Sequence, residues 1–304
     1  MLGAFVNRFG SLLDRRFLLG SWFPSLCGAL LLCGAYALAH GRRTSVEKWT
    51  DLGAVAQTWL GIAAVAGVTL IAFLLHVAPV IRLFEGYPLP SKIKEWGRLR
   101  QTRRRDRLSE GASLRAYPRN SRLIRPTRLG NLLTAAEEHS YQRYRIDAVI
   151  WWPRFTPVLP QTFRDQLDEA LLPLTSLTSL TLSLAVSGGT GTAFLAASGH
   201  GTAAATLGTA ATLVAVVTYR AALAQAGHYA ECVRTTFDLY RHDVLTAMRI
   251  APQDDLVAER RQWEQLTQWL YRGEPPADPL RYTHPSEPMP CRRDGAPGPE
   301  ARGQ

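Results

Sequence analysis

Long apolar stretches without a single Asp, Glu, Lys or Arg alternate with segments in which charges are crowded together. A water-soluble core does not need this segregation, whereas a bilayer imposes it because a charge in hydrocarbon is costly. A helix of about 20 apolar residues crosses the hydrocarbon while satisfying its own backbone hydrogen bonds. The apolar stretches are long enough for four such helices. They predict an all-α integral membrane protein with its transmembrane helices in a 2+2 arrangement.

The first two predicted spans run from about Phe17 to His40 and from about Thr58 to Ile81. The other two lie between Leu171 and Tyr219, a stretch of 49 uncharged residues that is too long for one span. A tight turn must therefore join them, and glycine supplies the backbone freedom for it. We expect the turn at residues 198–202, and residues 187–191 are the alternative.

The positive charges predict how the chain is oriented, since positively charged loops stay in the cytoplasm. Of the 35 Lys and Arg residues, 18 lie from Arg82 to Arg164 and 11 from Arg220 onward. We expect a multi-pass protein of the inner (plasma) membrane with both termini in the cytoplasm.

The same distribution divides the chain into six segments. They are a cytoplasmic N terminus (1–16), a first transmembrane helix pair (17–81), a basic cytoplasmic region (82–170), a second transmembrane pair (171–219), cytoplasmic amphipathic helices (220–273) and a tail (274–304). Pro and Gly accumulate in the tail with few apolar residues, which is typical of disorder.

A run of arginines lies on a predicted helix from about Ser91 to Leu108, at positions Arg103, Arg104, Arg105 and Arg107. Such a run is typical of a patch held near anionic lipid, at about 1 kcal/mol per charge. A nucleic-acid site would need a series of stacking aromatics or a fold signature, and neither accompanies these arginines. We therefore expect anionic headgroups on the cytoplasmic side as partners, and nucleic acid is disfavoured.

The helix that continues the fourth span is predicted to be amphipathic to about Ile250. Its apolar side holds Tyr229, Val233, Phe237, Tyr240, Val244 and Met248. The other side holds His228, Glu231, Asp238 and His242, whose spacing also suits a metal. Such pairs occur on any charged helix face, so we favour a packed helix and expect no metal, cofactor or catalytic residue.

Two further elements complete the predicted region outside the membrane. Trp151-Trp152-Pro153 is interpreted as an aromatic element at the membrane interface. Asp254 and Asp255 open a last helix that Gly273 ends, with Leu256, Trp263, Leu266 and Leu270 on one face.

Four serines in the third span, Ser176, Ser179, Ser183 and Ser187, lie within about 80° of one helix face. Small hydroxyl residues let helices pack closely and form hydrogen bonds across an interface. The alternative is a polar lining of a pore between several subunits, with Gly188, Gly189 and Gly191 permitting a bend. We favour packing, and both interpretations predict that this face meets another helix rather than lipid.

Three blocks of sequence carry a resemblance. They are Pro126–Asn131 (PTRLGN), Trp152–Arg154 (WPR) and Phe237–Asp243 (FDLYRHD). They resemble a group of uncharacterised bacterial multi-pass membrane proteins, which implies a membrane location and no activity. The segment order is also similar to that of bestrophin-type anion channels, an analogy of topology alone.

The predicted spans contain no Asp, Glu, Lys or Arg, and the histidines His76 and His200 lie near a span end and at a turn, which disfavours an ion-coupled transporter. We expect a non-enzymatic protein: the leading hypothesis is a self-associating, homo-oligomeric channel-like or permeation protein, and the alternative is a membrane-anchored scaffold or regulator that recruits a cytoplasmic partner. The third, disfavoured alternative is a metal-dependent enzyme that uses His228, Glu231, Asp238 and His242.

Overall fold

The computed structural model describes residues 17–40, 80–108 and 115–274, together with residues 64, 67–68, 70–71, 276 and 280–282. Regular structure in this part of the chain is helical, apart from one isolated antiparallel bridge between Ile250 and Tyr282. A π-helical turn at Leu18–Trp22 precedes the first helix. The helices are α1 (Phe23–His40), α2 (Val80–Glu85), α3 (Ser91–Asp106), α4 (Arg128–Tyr144), α5 (Ala148–Val158), α6 (Gln161–Ala197), α7 (Gly201–Ala247) and α8 (Leu256–Arg272).

Three helical segments are long and apolar enough to cross a membrane: Leu18–His40, which includes α1, then α6 and α7. They correspond to the predicted first, third and fourth spans, and they suggest a membrane location. Most of the predicted second span, about Thr58 to Ile81, lies outside the described residues. The N terminus (1–16), the loop at 41–57 and most of the tail also lie outside them.

The turn between the last two spans is where we expected it. Helix α6 ends at Ala197 and α7 begins at Gly201. Gly199 adopts a φ of +81°, which an L side chain rarely tolerates, and the His200 N–H donates to the Leu195 carbonyl at 2.9 Å. The alternative turn at residues 187–191 is wrong, because these residues are inside α6.

Small residues bring the three long helices close together. A Cβ atom on Gly28 of α1 would lie 2.6 Å from the Ser187 Oγ of α6, and one on Gly188 would lie 2.5 Å from the Ala211 Cβ of α7. Deeper in the same bundle, the Thr181 and Thr218 hydroxyls form a buried hydrogen bond of 2.9 Å between α6 and α7. This is the packing by small residues and interhelical hydrogen bonds that membrane helices use.

Helices α6 and α7 are longer than a membrane requires. With 37 and 47 residues they extend for about 55 Å and about 70 Å, against roughly 30 Å of hydrocarbon. Their extra turns pack with α2, α4, α5 and α8. We call the described residues of 80–170 and 220–282 the charged module.

Aromatic side chains form the core of the charged module. The rings of Trp151 and Trp263 meet edge to face at 4.7 Å, and those of Phe155 and Phe237 are also 4.7 Å apart. All four side chains are fully buried, and the Trp151 indole N–H donates to the Thr267 hydroxyl at 2.8 Å. The interfacial interpretation of Trp151 is therefore wrong, because α5 turns this indole into the module where its polar atom has a partner.

The other predicted helices are present. The apolar face of α7 lies in the same core, with Val233, Phe237 and Val244 buried. Helix α8 begins after Asp255, whose carboxylate accepts the N–H groups of Val257 and Ala258, and ends at Gly273 with a φ of +73°. On its predicted apolar face Leu256 is exposed, since it occupies the first turn, beyond the reach of the core.

Candidate functional site

The Pro126–Asn131 block forms a bend that fastens three helices together. Asn131 is fully buried; its Oδ1 accepts the Arg125 N–H at 2.7 Å and its Nδ2 donates to the Thr127 carbonyl at 2.8 Å. Glycines let the neighbouring backbones approach the bend. A Cβ on Gly97 of α3 would lie 2.9 Å from the Pro126 carbonyl oxygen, and one on Gly130 would lie 2.6 Å from that of Glu85. The block therefore fixes α2 and α3 against the start of α4.

The Phe237–Asp243 block joins α7 to α4. Asp238 lies 3.0 Å from the His139 Nε2 and accepts the Tyr144 hydroxyl proton at 2.8 Å. Burial acts to raise the pKa of Asp238, but the hydrogen bonds from His139 and Tyr144 and the charges of His139 and Arg143 outweigh burial and lower it. Asp238 is therefore held as a carboxylate between the two helices.

The same block also joins α7 to α8. The Arg241 Nε donates to the Glu259 Oε1 at 2.7 Å, and Glu259 is buried. The Arg241 guanidinium also lies 4.3 Å from the centre of the Tyr144 ring. Together with Asp238, these contacts fix α4, α7 and α8 as the walls of a cleft.

The arginine cleft is a large basic opening of the charged module, with a volume of about 1210 Å³. Three carboxylates, Glu138, Glu231 and Asp238, line it together with His139. Six arginines outnumber them, namely Arg105, Arg115, Arg119, Arg143, Arg234 and Arg260. The cleft therefore presents a net positive surface.

Some of these arginines hold the walls in place. Arg234 donates to the Glu231 Oε1 at 2.6 Å and to the Arg115 carbonyl at 2.8 Å, and its side chain is only 12% exposed. Arg260 donates to the Arg143 carbonyl at 2.6 Å and the Gln142 carbonyl at 2.8 Å. The guanidinium groups of Arg234 and Arg260 therefore stabilise the walls of the cleft.

Two other arginines are available at the opening. The Arg143 side chain is 60% exposed, and its Nη1 is 3.9 Å from the Asp238 carboxylate. Arg119 is exposed, and its own backbone N–H is fixed by the Glu138 carboxylate at 2.7 Å. Among the described residues neither guanidinium is bound in a tight ion pair, so both have donors to offer an acidic ligand.

The four candidate metal ligands have separate contacts. Glu231 pairs with Arg234, and Asp238 pairs with His139. The His242 Nε2 lies 3.9 Å from Glu259, and His228 is exposed. Nowhere in the described ranges do three or more His, Cys, Asp or Glu side chains come close enough to hold a metal.

The serine face of α6 meets α1 of the same chain. The Ser183 hydroxyl donates to the Pro24 carbonyl at 2.7 Å, and Ser187 is buried against Gly28. Ser179 is also buried, whereas Ser176 donates to the Leu172 carbonyl of its own helix at 2.8 Å.

The four arginines of the predicted run, three in α3 and Arg107 at its C-terminal cap, line more than one surface. Arg105 donates to the Ser121 hydroxyl at 3.0 Å and lines the arginine cleft. Arg103, Arg104 and Arg107 border a groove with Trp96, and Arg104 also lines a second basic pocket beside α7. Three of the four arginines therefore share one groove, and Arg105 belongs to the arginine cleft.

Sequence reasoning missed a pair of acidic side chains in an apolar cavity. Glu85 and Glu137 line a cavity of about 330 Å³ with Trp152, Leu174 and Tyr229. Burial, with the charge of Glu137 second, raises the pKa of Glu85 to about 7 against the opposing charges of Arg125 and Arg82. The pKa of Glu137 is also raised, chiefly by burial. No spacing in the sequence relates these two positions.

Replacing Glu85 by glutamine should stabilise the protein at pH 8 and leave it nearly unchanged at pH 4. The folded state holds the Glu85 proton more tightly than the unfolded state, so its stabilising effect fades as the pH rises from about 4.5 to about 7. Solvent screening of this partly exposed group limits the gain to the order of 1 kcal/mol. Thermal unfolding of the parent and of Glu85→Gln at both pH values measures this gain in stability, with exposed Glu95→Gln as the control. Equal shifts at the two pH values would contradict the expected titration.

No family model, no curated protein and no solved structure matches this chain. The functional argument therefore proceeds from the geometry of the charged module and the long helices.

Proposed function

We propose that the protein is a non-enzymatic membrane scaffold whose charged module recruits a cytoplasmic partner through an acidic peptide segment. The observation that carries the proposal is the arginine cleft, in which six arginines face three carboxylates. Electrostatic complementarity of this kind steers an oppositely charged partner and fixes its register.

The size and charge pattern of the cleft favour a peptide over a small anion. Its volume of about 1210 Å³ exceeds the roughly 300–1,000 Å³ that is common for small-molecule sites. Glu231 and Asp238 lie among the arginines, so a compact polyanion would meet like charges. An extended acidic chain can instead place separate carboxylates at the exposed guanidinium groups of Arg119 and Arg143.

The contacts of the serine face also support a scaffold over a pore. Ser183 and Ser187 pack on α1 of the same chain, so these hydroxyls already have a protein neighbour. A homo-oligomeric channel stays a second proposal, and its test is ion flux through liposomes that contain the purified protein.

Reversing the charge of Arg119 and Arg143 should abolish binding of an acidic peptide. The probe is a fluorescein-labelled decaglutamate, and fluorescence anisotropy follows its binding to the protein in nanodiscs. We expect the Kd of Arg119→Glu/Arg143→Glu to rise by at least about tenfold, since each lost pairing at a cleft is worth about 1 kcal/mol.

The control is Arg261→Glu, an exposed arginine of α8 outside the cleft, which should bind like the parent. If Arg261→Glu weakens binding as much as the double variant, a general surface charge is responsible and the cleft proposal fails. A cysteine placed at residue 119 should also be labelled only from the cytoplasmic side of membrane vesicles, and labelling from the other side would contradict the proposed orientation.

A further inference from the structure

A second basic pocket lies where α3 and the start of α4 meet α7. Its volume is about 840 Å³, and we call it the junction pocket. Its charged lining consists of Arg100, Arg104, Arg128 and Arg220, and its apolar lining includes Leu132, Val216 and Leu223. In contrast to the arginine cleft, none of its lining residues is a carboxylate.

The junction pocket lies at the boundary between the apolar and charged parts of α7. Arg220 is the first charged residue after the 49 uncharged ones. One turn earlier, Val216 and Val217 are exposed, and Leu213 is exposed one further turn back. In a helix that is apolar enough to cross a membrane, this exposed surface is where acyl chains would lie. The four guanidinium groups are then at the depth of the headgroups.

The guanidinium groups of the junction pocket are free to bind an anion. Among the described residues none of the four is paired with a carboxylate, and Arg100 only stacks at 5.5 Å over the Trp96 ring. Arginine donors match phosphate oxygens in a planar, bidentate geometry. Four of them without an opposing charge fit a ligand that carries one or more phosphates.

Contacts within the chain preform the junction pocket. Arg100 and Arg104 are one helical turn apart and share a side of α3. Their helix is held by the close approach of Gly97 to Pro126 and by the Tyr117 hydroxyl, which donates to the buried Gln101 at 3.0 Å. Arg128 starts α4 directly after the Thr127 cap. The bend of the Pro126–Asn131 block therefore fixes the positions of Arg100, Arg104 and Arg128.

We infer that the junction pocket binds the headgroup of an anionic phospholipid, with the acyl chains along the exposed apolar face of α7. Basic pockets beside membrane helices recognise phospholipid headgroups in this way. The apolar half of the lining selects a lipid over free phosphate, because free phosphate gains nothing from Val216 and Leu223. This inference is independent of the acidic peptide proposed for the arginine cleft.

Native mass spectrometry of the delipidated protein with added lipid tests the inference. The probes are phosphatidylglycerol, cardiolipin and zwitterionic phosphatidylcholine, each titrated separately. We expect both anionic lipids to bind more tightly than phosphatidylcholine. In Arg104→Gln/Arg128→Gln the apparent affinity for them should fall by roughly tenfold or more, since two phosphate contacts are removed. Arg220→Gln alone should weaken binding by a smaller factor, and it provides a second variant if the first does not fold.

The matched control is Arg103→Gln/Arg107→Gln, which removes the same charge from the end of α3 and its C-terminal cap, outside the junction pocket, and should bind like the parent. Equal losses in the two double variants would overturn the inference in favour of a diffuse basic surface. Equal affinity for phosphatidylcholine would overturn headgroup recognition. Displacement of the lipid by 10 mM inorganic phosphate would show that the site takes free phosphate instead.

Discussion

Replacing Trp263 by alanine should destabilise the charged module by about 3–5 kcal/mol. The side chain is fully buried, and its ring meets Trp151 at 4.7 Å. Its removal leaves a cavity between α5 and α8 and takes away a hydrogen-bond donor that lies 3.4 Å from the buried Glu259. The midpoint of thermal unfolding, followed by circular dichroism in detergent, should fall by roughly 6–15 °C.

The control for Trp263 is on the same helix. Trp269 is 36% exposed, so Trp269→Ala removes an equal volume without opening a comparable cavity. It should lower the midpoint by no more than a few degrees. If both variants unfold at the same temperature, the aromatic core does not stabilise the charged module. Other contacts must then hold the walls of the arginine cleft in position.

The helices of this protein are predictable from sequence because their signals are local. Uncharged stretches mark the long helices, Gly199 marks the turn between them, and the spacing of Val233, Phe237 and Val244 marks the buried face of α7. Each of these features lies within one helix or one turn, so a local sequence pattern is enough to predict it.

The environment of Trp151 cannot be predicted from the local sequence. A tryptophan beside proline and arginine near a membrane span is typical of an interfacial belt, but an indole is equally suited to a core that satisfies its N–H. Trp263, which decides between the two environments, is 112 positions away in the sequence. Its position against α5 follows from how α7 and α8 fold back, which no local pattern contains.

The candidate sites are predictable only in part for the same reason. The arginines of α3 were recognised as basic, yet Arg104 and Arg105 line different pockets, because neighbouring residues on a helix point about 100° apart. The cleft arginines come from positions as distant as Arg105 and Arg260. Likewise Glu85 and Glu137 share a cavity through the bend of the Pro126–Asn131 block.

The serine face is an intermediate case. Four serines in line predict a helix as the neighbour of this face, but they contain no information about which helix it is. The neighbouring helix is α1 because Gly28, which has no side chain, leaves room for the Ser183 and Ser187 hydroxyls. A partner within the chain and a partner in another subunit are equally compatible with the pattern of serines.

Replacing Ser183 by leucine should therefore disrupt folding of the membrane bundle. The Ser183 hydroxyl donates to the Pro24 carbonyl at 2.7 Å, so a larger side chain meets the backbone of α1 directly. Overpacking of this kind costs about 1–3 kcal/mol, and the helix must also shift. Expression with a fluorescent tag and size-exclusion chromatography should show loss of the monodisperse peak. Ala185→Leu is the matched control, because residue 185 is exposed two positions along the same helix, and it should behave like the parent.

Alanine at residue 183 separates packing from permeation. Ser183→Ala removes one interhelical hydrogen bond and no space, which in a membrane is worth about 0.6 kcal/mol, so the fold and the oligomeric state should be retained. Under the packing interpretation the parent and Ser183→Ala give the same ion flux in liposomes, whether or not flux is present. A folded Ser183→Ala protein with reduced flux would mean that this hydroxyl faces permeating ions. The channel proposal would then replace the scaffold proposal. A Ser183 hydroxyl that only packs against Pro24 should leave the ion flux unchanged.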